Sequence, residues 1–321
     1  MWMMPVSGAV ETAVTSFADR IAVIDGDCMH DYASLGEAIA LFAEELAAQG
    51  IESGSRVAIY IGCGYESLLA VLAVERVGAV AVPLDILDAP ETSVRALDAT
   101  RADFLLGHRR DEHIAEDLAE SYDPRDLEMT SVAEEYTLVR LPDARRGASW
   151  GVRGGFAFCL LDGTGSLAVE STALAAAAVE MGTELGTCAE DVVAVTLPLT
   201  TRSVLTSTIA TLLSGACLSM RGYPHPSAAG IAAQIAADEV SILVCSDHGL
   251  AGLEGRHAMN SPTAEPLRVL TLSHPTAGQD KTPVSVDHLA VHGGYLRIEA
   301  DTRTRYCCAS PRQQVACWCR H

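Results

Sequence analysis

The run Cys245-Ser246-Asp247-His248 places a thiol, a hydroxyl, a carboxylate and an imidazole side by side. These are the groups of a triad in which a base activates a nucleophile and an acid orients the base. Catalytic partners of this kind meet in space from separate segments, whereas adjacent side chains point in different directions. The run by itself therefore does not predict a triad. The chain also contains no G-x-S-x-G motif, and no strand is followed by G-x-G-x-x-G.

The ten cysteines divide into two groups. Six stand singly in apolar runs, and we expect them to be small core residues: Cys28, Cys63, Cys159, Cys188, Cys217 and Cys245. The other four are Cys307, Cys308, Cys317 and Cys319. The last two are too closely spaced for a C-x2-C zinc half-site, and no histidine pair follows at finger spacing. No structural metal site is predicted.

Charge excludes several classes of partner. The chain has 42 acidic and 22 basic residues, a net charge of −20, and Lys281 is its single lysine. Nucleic acids and anionic membrane surfaces need a basic footprint, so neither is an expected partner. The N-terminus has no basic n-region, and no apolar run reaches the ~18 residues of a membrane span. We expect a cytoplasmic protein.

Apolar strands and helices alternate along most of the chain. Hydrophobic residues make up 49% of the sequence and aromatic residues 5%. Such a pattern predicts an α/β fold of two stacked subdomains, each with a mostly parallel sheet and helices on both faces. We place the subdomains at residues 1–150 and 151–300, with residues 108–150 as an irregular connection and Leu267–Leu272 as the last strand.

Turn and cap signals set some of the boundaries. Asp25-Gly26 between apolar runs predicts a hairpin. Ser34 and Glu37 have the spacing of a capping box, which predicts a helix that begins at Ser34. Ser171 is expected to cap a helix that runs to Gly182.

Residues 301–321 form an atypical tail rich in cysteine and arginine. No acidic residue occurs from Thr302 to the end, and neither helical nor strand periodicity is visible. We expect this tail to be the product of a shifted reading frame or a nonhomologous end, with no place in the fold.

Several motifs together resemble the adenylate-forming superfamily. Tyr32-Ala-Ser-Leu35 resembles its Thr-Tyr-x-x-Leu motif, and Glu75–Asp85 resembles its A-G-A-x-x-V-P-L-D segment. Val195–Leu199 and Leu212–Ala216 are similar to its L-P-L and L-L-x-G-A segments. The family includes acyl- and aryl-CoA synthetases, fatty acyl-AMP ligases and the adenylation domains of nonribosomal peptide synthetases. The resemblance spans about residues 15–272 and concerns scaffold segments.

The resemblance also assigns candidate site residues. The family's glycine- and hydroxyl-rich phosphate loop matches Leu160–Val169, where Gly163, Thr164, Gly165 and Ser166 keep a trace of the motif. The Pro-Lys-Gly part is missing, and Asp162 would repel phosphate unless Mg²⁺ bridged them. An ordinary turn is the alternative interpretation. Where the family places an aromatic residue and a histidine near the substrate carboxylate, this chain has Thr200, Thr201 and Arg202.

Other family motifs are missing from the sequence. The adenine loop, the ribose-binding Thr-Gly-Asp and the catalytic lysine have no counterpart, so no catalytic residue is assigned. ATP and Mg²⁺ are implied by resemblance alone, and it stays open whether any cofactor binds. We expect an adenylation-type protein with weak or no activity alone. The alternatives are a nonenzymatic protein that partners an intact ligase or carrier protein, and an active ligase with an unusual ATP site.

Overall fold

The computed structural model describes residues 4–62, 64–86, 88, 90–108, 127–133, 135–142, 156–161, 166–221, 227–254, 267–272, 285–292 and 295–301. The helices of this part are α1 (Val6–Ser16), α2 (Tyr32–Ala48), α3 (Tyr65–Val77), α4 (Pro90–Thr100), α5 (Ser171–Leu185), α6 (Arg202–Leu213), α7 (Ala228–Ala237) and α8 (Asp247–Glu254).

The strands form two sheets. The seven-stranded sheet has the order β6-β7-β5-β3-β4-β8-β9, and the eight-stranded sheet has the order β14-β15-β13-β12-β10-β11-β1-β2. Their bounds are β1 (Ile21–Asp25), β2 (Cys28–Asp31), β3 (Arg56–Tyr60), β4 (Val80–Pro83), β5 (Phe104–His108), β6 (Glu128–Val132), β7 (Tyr136–Arg140), β8 (Phe156–Leu161), β9 (Ser166–Glu170), β10 (Val192–Val195), β11 (Cys217–Met220), β12 (Ile242–Ser246), β13 (Leu267–Leu272), β14 (Ser285–His292) and β15 (Tyr295–Asp301).

Parallel strands form the centre of each sheet, and antiparallel strands form the edges. In the seven-stranded sheet, β5, β3, β4 and β8 are parallel, whereas β6, β7 and β9 join antiparallel. In the eight-stranded sheet, only β2 and β14 are antiparallel to their neighbours. Parallel strands need crossover helices, which cover both faces of a sheet. The predicted α/β class is confirmed.

The two sheets enclose a shared layer of helices. Helices α1, α2, α3, α5 and α6 bury their apolar residues in one cluster that both sheets contribute to. Helix α4 packs on the outer face of the seven-stranded sheet, and α7 and α8 pack on the outer face of the eight-stranded sheet. Alternation along a strand makes this possible: Val193 and Val195 face the shared core, whereas Ala194 between them faces α7.

The sheets do not divide at residue 150. Strands β1 and β2 come from the first half of the chain but lie in the eight-stranded sheet, where β1 pairs in parallel with β11. Strands β8 and β9 come from the second half but complete the seven-stranded sheet. The subdomain boundaries at 150 and 300 stay predictions, and the halves exchange strands across the first of them. The tail beyond Asp301 lies outside the described residues.

The structure adds elements that the sequence analysis missed. The predicted hairpin after Arg20 is confirmed, but α1, α8 and the strand β9 were not expected. The region taken as an irregular connection contains the antiparallel pair β6–β7. Leu267–Leu272 is not the last strand, because β14 and β15 follow it. Short edge strands were missed because one face is solvated and their apolar runs are brief.

Both predicted N-caps were wrong, and for the same reason. The first long helix begins at Tyr32, and the Asp31 carboxylate, not the Ser34 hydroxyl, accepts the first-turn N–H, from Ser34 at 2.7 Å. Hydrogen bonds from the Ser34 hydroxyl and from the Ser34 N–H lower the pKa of Asp31. Ser171 is the first residue of α5 and makes no cap; its N-cap residue is Glu170. Asp31 and Glu170 both close a strand, and the helix follows without a loop.

Tyr32 connects the β1–β2 hairpin to the second half of the chain by hydrogen bonds. Its side chain is fully buried, and its hydroxyl lies 2.7 Å from the carbonyl oxygen of Ala216 and 3.0 Å from that of Leu212. These carbonyls belong to the end of α6 and the turn into β11. Gly215 in the same turn has φ +74°, and a Cβ there would meet the Phe17 ring at 2.7 Å. Tyr32 and Phe17, both from the N-terminal segment, therefore contact this turn.

Replacing Tyr32 by phenylalanine tests this contact. We expect Tyr32→Phe to lower the free energy of unfolding by about 1 kcal/mol, because two buried carbonyl groups lose a hydroxyl donor. The measurement is urea unfolding of the full chain. Tyr65→Phe is the control, since its half-buried hydroxyl makes no hydrogen bond within the described part of the chain. Equal stabilities of the two variants would contradict the assignment.

Glu75 in α3 connects three helices in the shared core. The Ser171 hydroxyl donates to Glu75 Oε1 and accepts from the backbone N–H of Val6 at 2.7 Å. Ser7 also hydrogen-bonds the carboxyl group. The side chain therefore takes the place of an N-cap for α1, whose own N-cap residue, Pro5, offers no side-chain acceptor. Burial nevertheless raises the pKa of Glu75, and Oε2 has no partner among the described residues.

This environment predicts a pH dependence of stability. A pKa raised in the folded state means that the contribution of Glu75 is full below its ordinary value of 4.5 and is lost as the pH rises through the folded pKa. We expect Glu75→Gln to gain stability relative to the parent protein as the pH is raised from about 4.5 towards 8. Urea unfolding at a series of pH values measures this. The control Glu44→Gln makes the same charge change on the exposed face of α2; an identical profile for both variants would disprove the role.

Candidate functional site

The order of strands reverses at β10 in the eight-stranded sheet. From β10 the chain passes through α6 to β11 on one side, and then through α7 to β12 on the other side of β10. In open α/β sheets, ligands bind outside the carboxyl ends of the strands at such a reversal, because the two crossover helices diverge there and leave a crevice. Thr196 spans this crevice, since its N–H and its hydroxyl both donate to the carbonyl oxygen of Val244 at 3.1 Å.

Thr200, Thr201 and Arg202 lie directly after this point. Thr201 is the N-cap of α6, and its hydroxyl accepts from the N–H of Val204 at 3.4 Å. Arg202 is the first residue of α6 and is half-buried. Its Nη2 is shielded from solvent and has no hydrogen-bond partner within the described ranges. A buried guanidinium nitrogen without an acceptor is costly, and a bound anion would lower that cost.

The rest of α6 shows how well the other polar groups of this helix are satisfied. Four of its hydroxyl groups are buried, yet each of the four donates to a carbonyl oxygen three or four residues earlier: Thr206 to Arg202, Ser207 and Thr208 to Val204, and Thr211 to Ser207. Such back-bonding lets a helix with many hydroxyl groups lie in an apolar core. Against this background the unpartnered Nη2 of Arg202 is an exception on the helix.

The predicted phosphate loop is the end of a hairpin. Strands β8 and β9 pair antiparallel from Phe156↔Glu170 to Leu161↔Ser166. Gly163, Thr164 and Gly165 lie outside the described residues, and for Ser166 only the backbone position in β9 is described. The alternative interpretation of this segment was a turn, one between a strand and a helix. A strand follows instead, and the alternation of Leu167 and Val169 was the signal that could have predicted it.

Topology places the start of α5 and Arg202 at the same end of the eight-stranded sheet. Helix α5 follows β9 directly and leads through a six-residue connection, 186–191, into β10, so it runs antiparallel to β10. Helix α6 runs antiparallel to β10 as well, because it connects the parallel pair β10 and β11. The N-termini of α5 and α6 therefore both lie at the carboxyl end of β10. Glu170 and Ser171 lie at the end of the β8–β9 hairpin opposite to Leu161 and Ser166, so the topology brings the start of α5 to the edge where Arg202 lies without placing residues 163–166 there.

The run Cys245–His248 meets the same reversal from the other strand. Cys245 is fully buried in β12, and the Ser246 hydroxyl accepts from the N–H of Gly249 at 3.1 Å at the start of α8. The side chains of Asp247 and His248 are outside the described set. Cys245 and Ser246 thus have structural roles. Of the cysteines expected in the core, Cys159 and Cys217 are also buried, but Cys28 and Cys188 are exposed and that expectation was wrong for them.

Comparison with known proteins agrees with this geometry. Residues 10–148 match the family model described as AMP-binding enzyme. Over these residues the chain is similar to the AMP-binding enzymes. The hybrid PKS-NRPS synthetase iliA from Neonectria sp. (strain DH2) is 29% identical over 149 residues, which are 46% of this chain and 4% of that protein. The chain thus spans a small fraction of the curated relatives that it matches.

Solved structures of AMP-binding relatives share the fold. The N-terminal domain of FACL13 from Mycobacterium tuberculosis superposes with a TM-score of 0.68 at 19% identity, covering 84% of this chain and 70% of that chain. An artificially fused adenylation–PCP di-domain, NpsA-ThdA from Klebsiella oxytoca, gives a TM-score of 0.64 at 20% identity, covering 84% and 48%. The two sheets with a shared helical layer are therefore the N-terminal subdomain architecture of adenylate-forming enzymes.

No helix among the described residues is long and apolar enough to cross a lipid bilayer.

A substitution of Arg202 distinguishes a ligand-binding arginine from a structural one. We expect Arg202→Met to leave the melting temperature unchanged or higher, because Nη2 loses no hydrogen bond. The control is Arg268→Met. Arg268 donates to the carbonyl oxygens of Leu185 and Gly186 at 2.9 and 3.0 Å and pairs with Asp191, so its loss should cost about 2 kcal/mol. Differential scanning calorimetry measures both, and equal destabilisation would show that Arg202 is structural.

Proposed function

We propose that this chain provides the carboxylate-binding scaffold of an adenylate-forming ligase and that Arg202 binds the carboxylate of the acid. The supporting observation is the shielded, unpartnered Nη2 of Arg202 at the reversal of the eight-stranded sheet. A guanidinium group forms paired, charge-assisted hydrogen bonds with a carboxylate. Relatives of this family activate carboxylic acids, so a carboxylate is the anion that both the geometry and the kinship favour.

The nucleotide side of the site is proposed from the sequence of the β8–β9 hairpin. Gly163, Thr164, Gly165 and Ser166 would offer N–H and hydroxyl donors to phosphate oxygens. No lysine stands in this loop, and Asp162 adds a negative charge, so ATP binding would depend on Mg²⁺ to offset the repulsion between the carboxylate and the phosphates. We therefore propose that this chain, without a partner, has weak or no adenylating activity. We also propose that it is a cytoplasmic protein.

A nonenzymatic role is the second candidate. The curated relative is a large synthetase, and one structural neighbour is an adenylation domain fused to a PCP. If the chain binds a carrier protein or an intact ligase through its surface, selection for that contact would preserve the fold without any ATP chemistry. In this case the carboxylate site at Arg202 would not be needed.

Titration with simple acids tests the proposal. We expect benzoate, octanoate or phenylalanine to bind the full chain, and Arg202→Lys to weaken that binding at least tenfold, because lysine keeps the charge but loses the paired donors. Isothermal titration calorimetry measures the dissociation constants, with Arg221→Lys as the control. Arg221 is already paired with Asp238 at 3.1 Å, so its replacement should leave acid binding unchanged.

Pyrophosphate exchange with the same three acids separates the candidates. The scaffold proposal expects acid binding with exchange at or near background. Absence of acid binding at concentrations up to ~1 mM, about −4 kcal/mol, would leave the interaction role as the better account. Exchange as rapid as that of an intact ligase would contradict the proposed weakness of the nucleotide side.

A further inference from the structure

The seven-stranded sheet has a reversal of its own. From β3 the chain passes through α3 to β4 on one side, and then through α4 to β5 on the other side of β3. The carboxyl ends of β3 and β5 therefore flank a second crevice of the kind that binds ligands in open α/β sheets. Arg202 does not line it, because Arg202 lies at the carboxyl end of β10 in the eight-stranded sheet.

Three potential metal ligands meet at this second reversal. Glu66 is in the first turn of α3, His108 is the last residue of β5, and Glu135 directly precedes β7. One ligand atom from each, an imidazole nitrogen and two carboxylate oxygens, lies within 4.8 Å of both others. His108 Nε2 and Glu66 Oε1 are 3.3 Å apart. The three residues are separated by up to 69 positions in sequence, and only the fold brings them together.

The separations suit a small divalent cation. Zinc bonds to nitrogen and carboxylate oxygen at about 2.0–2.2 Å, which in tetrahedral coordination puts neighbouring ligand atoms about 3.4 Å apart. The His108–Glu66 pair already has this spacing. Glu135 is exposed, so rotation about its side-chain bonds can bring its carboxylate to the same spacing at little conformational cost. One imidazole with two carboxylates also matches the ligand preference of first-row divalent ions better than that of Ca²⁺ or Mg²⁺.

Packing holds the imidazole in place. His108 is 6% exposed, and its ring meets the Tyr136 ring edge-on with centroids 5.6 Å apart. Tyr136 in turn packs against Phe42 of α2, with centroids 4.6 Å apart. A ligand that is fixed before the ion arrives loses little conformational entropy on binding. The exposed Glu135 leaves one side of the cluster open to solvent, where an ion could enter and keep a water ligand.

We propose that Glu66, His108 and Glu135 form a binding site for a first-row divalent metal ion such as Zn²⁺. Bound metal would join the start of α3, the end of β5 and the start of β7, and would neutralise the two facing carboxylates. The ion would have three protein ligands and one open position, an arrangement that accepts water or an additional ligand. This proposal does not depend on the acid site, since it concerns the other sheet.

The test is titration of the chelator-treated full chain with ZnCl₂ alone. Free thiols also bind zinc, so two alkylated preparations are used. In the first, the accessible cysteines are alkylated under native conditions. In the second, all cysteines are alkylated in urea before refolding. We expect one zinc equivalent with a dissociation constant below ~100 μM, about −5.5 kcal/mol, and a higher melting temperature in its presence. Co²⁺ should give d–d absorption bands without a thiolate charge-transfer band.

Matched variants locate the site. Glu135→Gln keeps the size of an exposed side chain, and we expect at least tenfold weaker zinc binding with an unchanged melting temperature in chelator. Glu66→Gln should act in the same direction, whereas Glu44→Gln on the exposed face of α2 should bind like the parent protein. Unchanged zinc affinity in both site variants, or no zinc equivalent in the alkylated protein, would overturn the proposal and leave His108 and Glu66 as a close contact without a metal ion.

Discussion

The parallel pairing of β1 with β11 is the constraint on which the rest of the fold depends. It carries residues 21–31 into the sheet of the opposite half, where Val23 pairs with Leu218 and Asp25 with Met220. The fully buried Tyr32 then fixes the chain to the turn between α6 and β11, 180 or more residues away. Since β8 and β9 make the reverse exchange, neither half can complete its own sheet. The shared helical layer is buried only when both exchanges are made, so we expect the halves to unfold together.

The strand order also determines where ligands can bind. In each sheet a central strand, β3 or β10, is followed along the chain by a neighbour on one side and then by a neighbour on the other, so each sheet has a reversal with a crevice at the carboxyl end of that strand. The two crevices have opposite chemistry. Arg202 offers a cationic donor without a partner among the described residues in the eight-stranded sheet, whereas Glu66 and Glu135 with His108 offer acceptors in the seven-stranded sheet. An acid and a metal ion are the ligands that match these charges.

Buried polar groups elsewhere in the core are mostly accounted for by structure. The hydroxyl groups of α6 are satisfied within the helix, and Glu75 with Ser171 supplies the donors and acceptors that the start of α1 requires. The Gln234 amide nitrogen donates to both the hydroxyl and the carbonyl oxygen of Ser219, whereas its Oε1, like Glu75 Oε2, has no partner among the described residues. The contrast matters for function, because an unsatisfied group is informative only where its neighbours show that the fold could have satisfied it.

The sequence by itself determined the α/β class, most buried strands and the kinship with AMP-binding enzymes, because those depend on local hydrophobic period and on motifs within single segments. It also located Arg202 and its two threonines next to a strand end. It could not show the edge pairs β6–β7 and β14–β15, whose short strands gain stability only from their partners. It placed the N-caps of α2 and α5 wrongly, because in both cases the N-cap residue is the last residue of the preceding strand. The strand exchange, the two reversals and the meeting of Glu66, His108 and Glu135 were decided by tertiary structure alone, since they depend on pairings between residues far apart in the chain that no local pattern encodes.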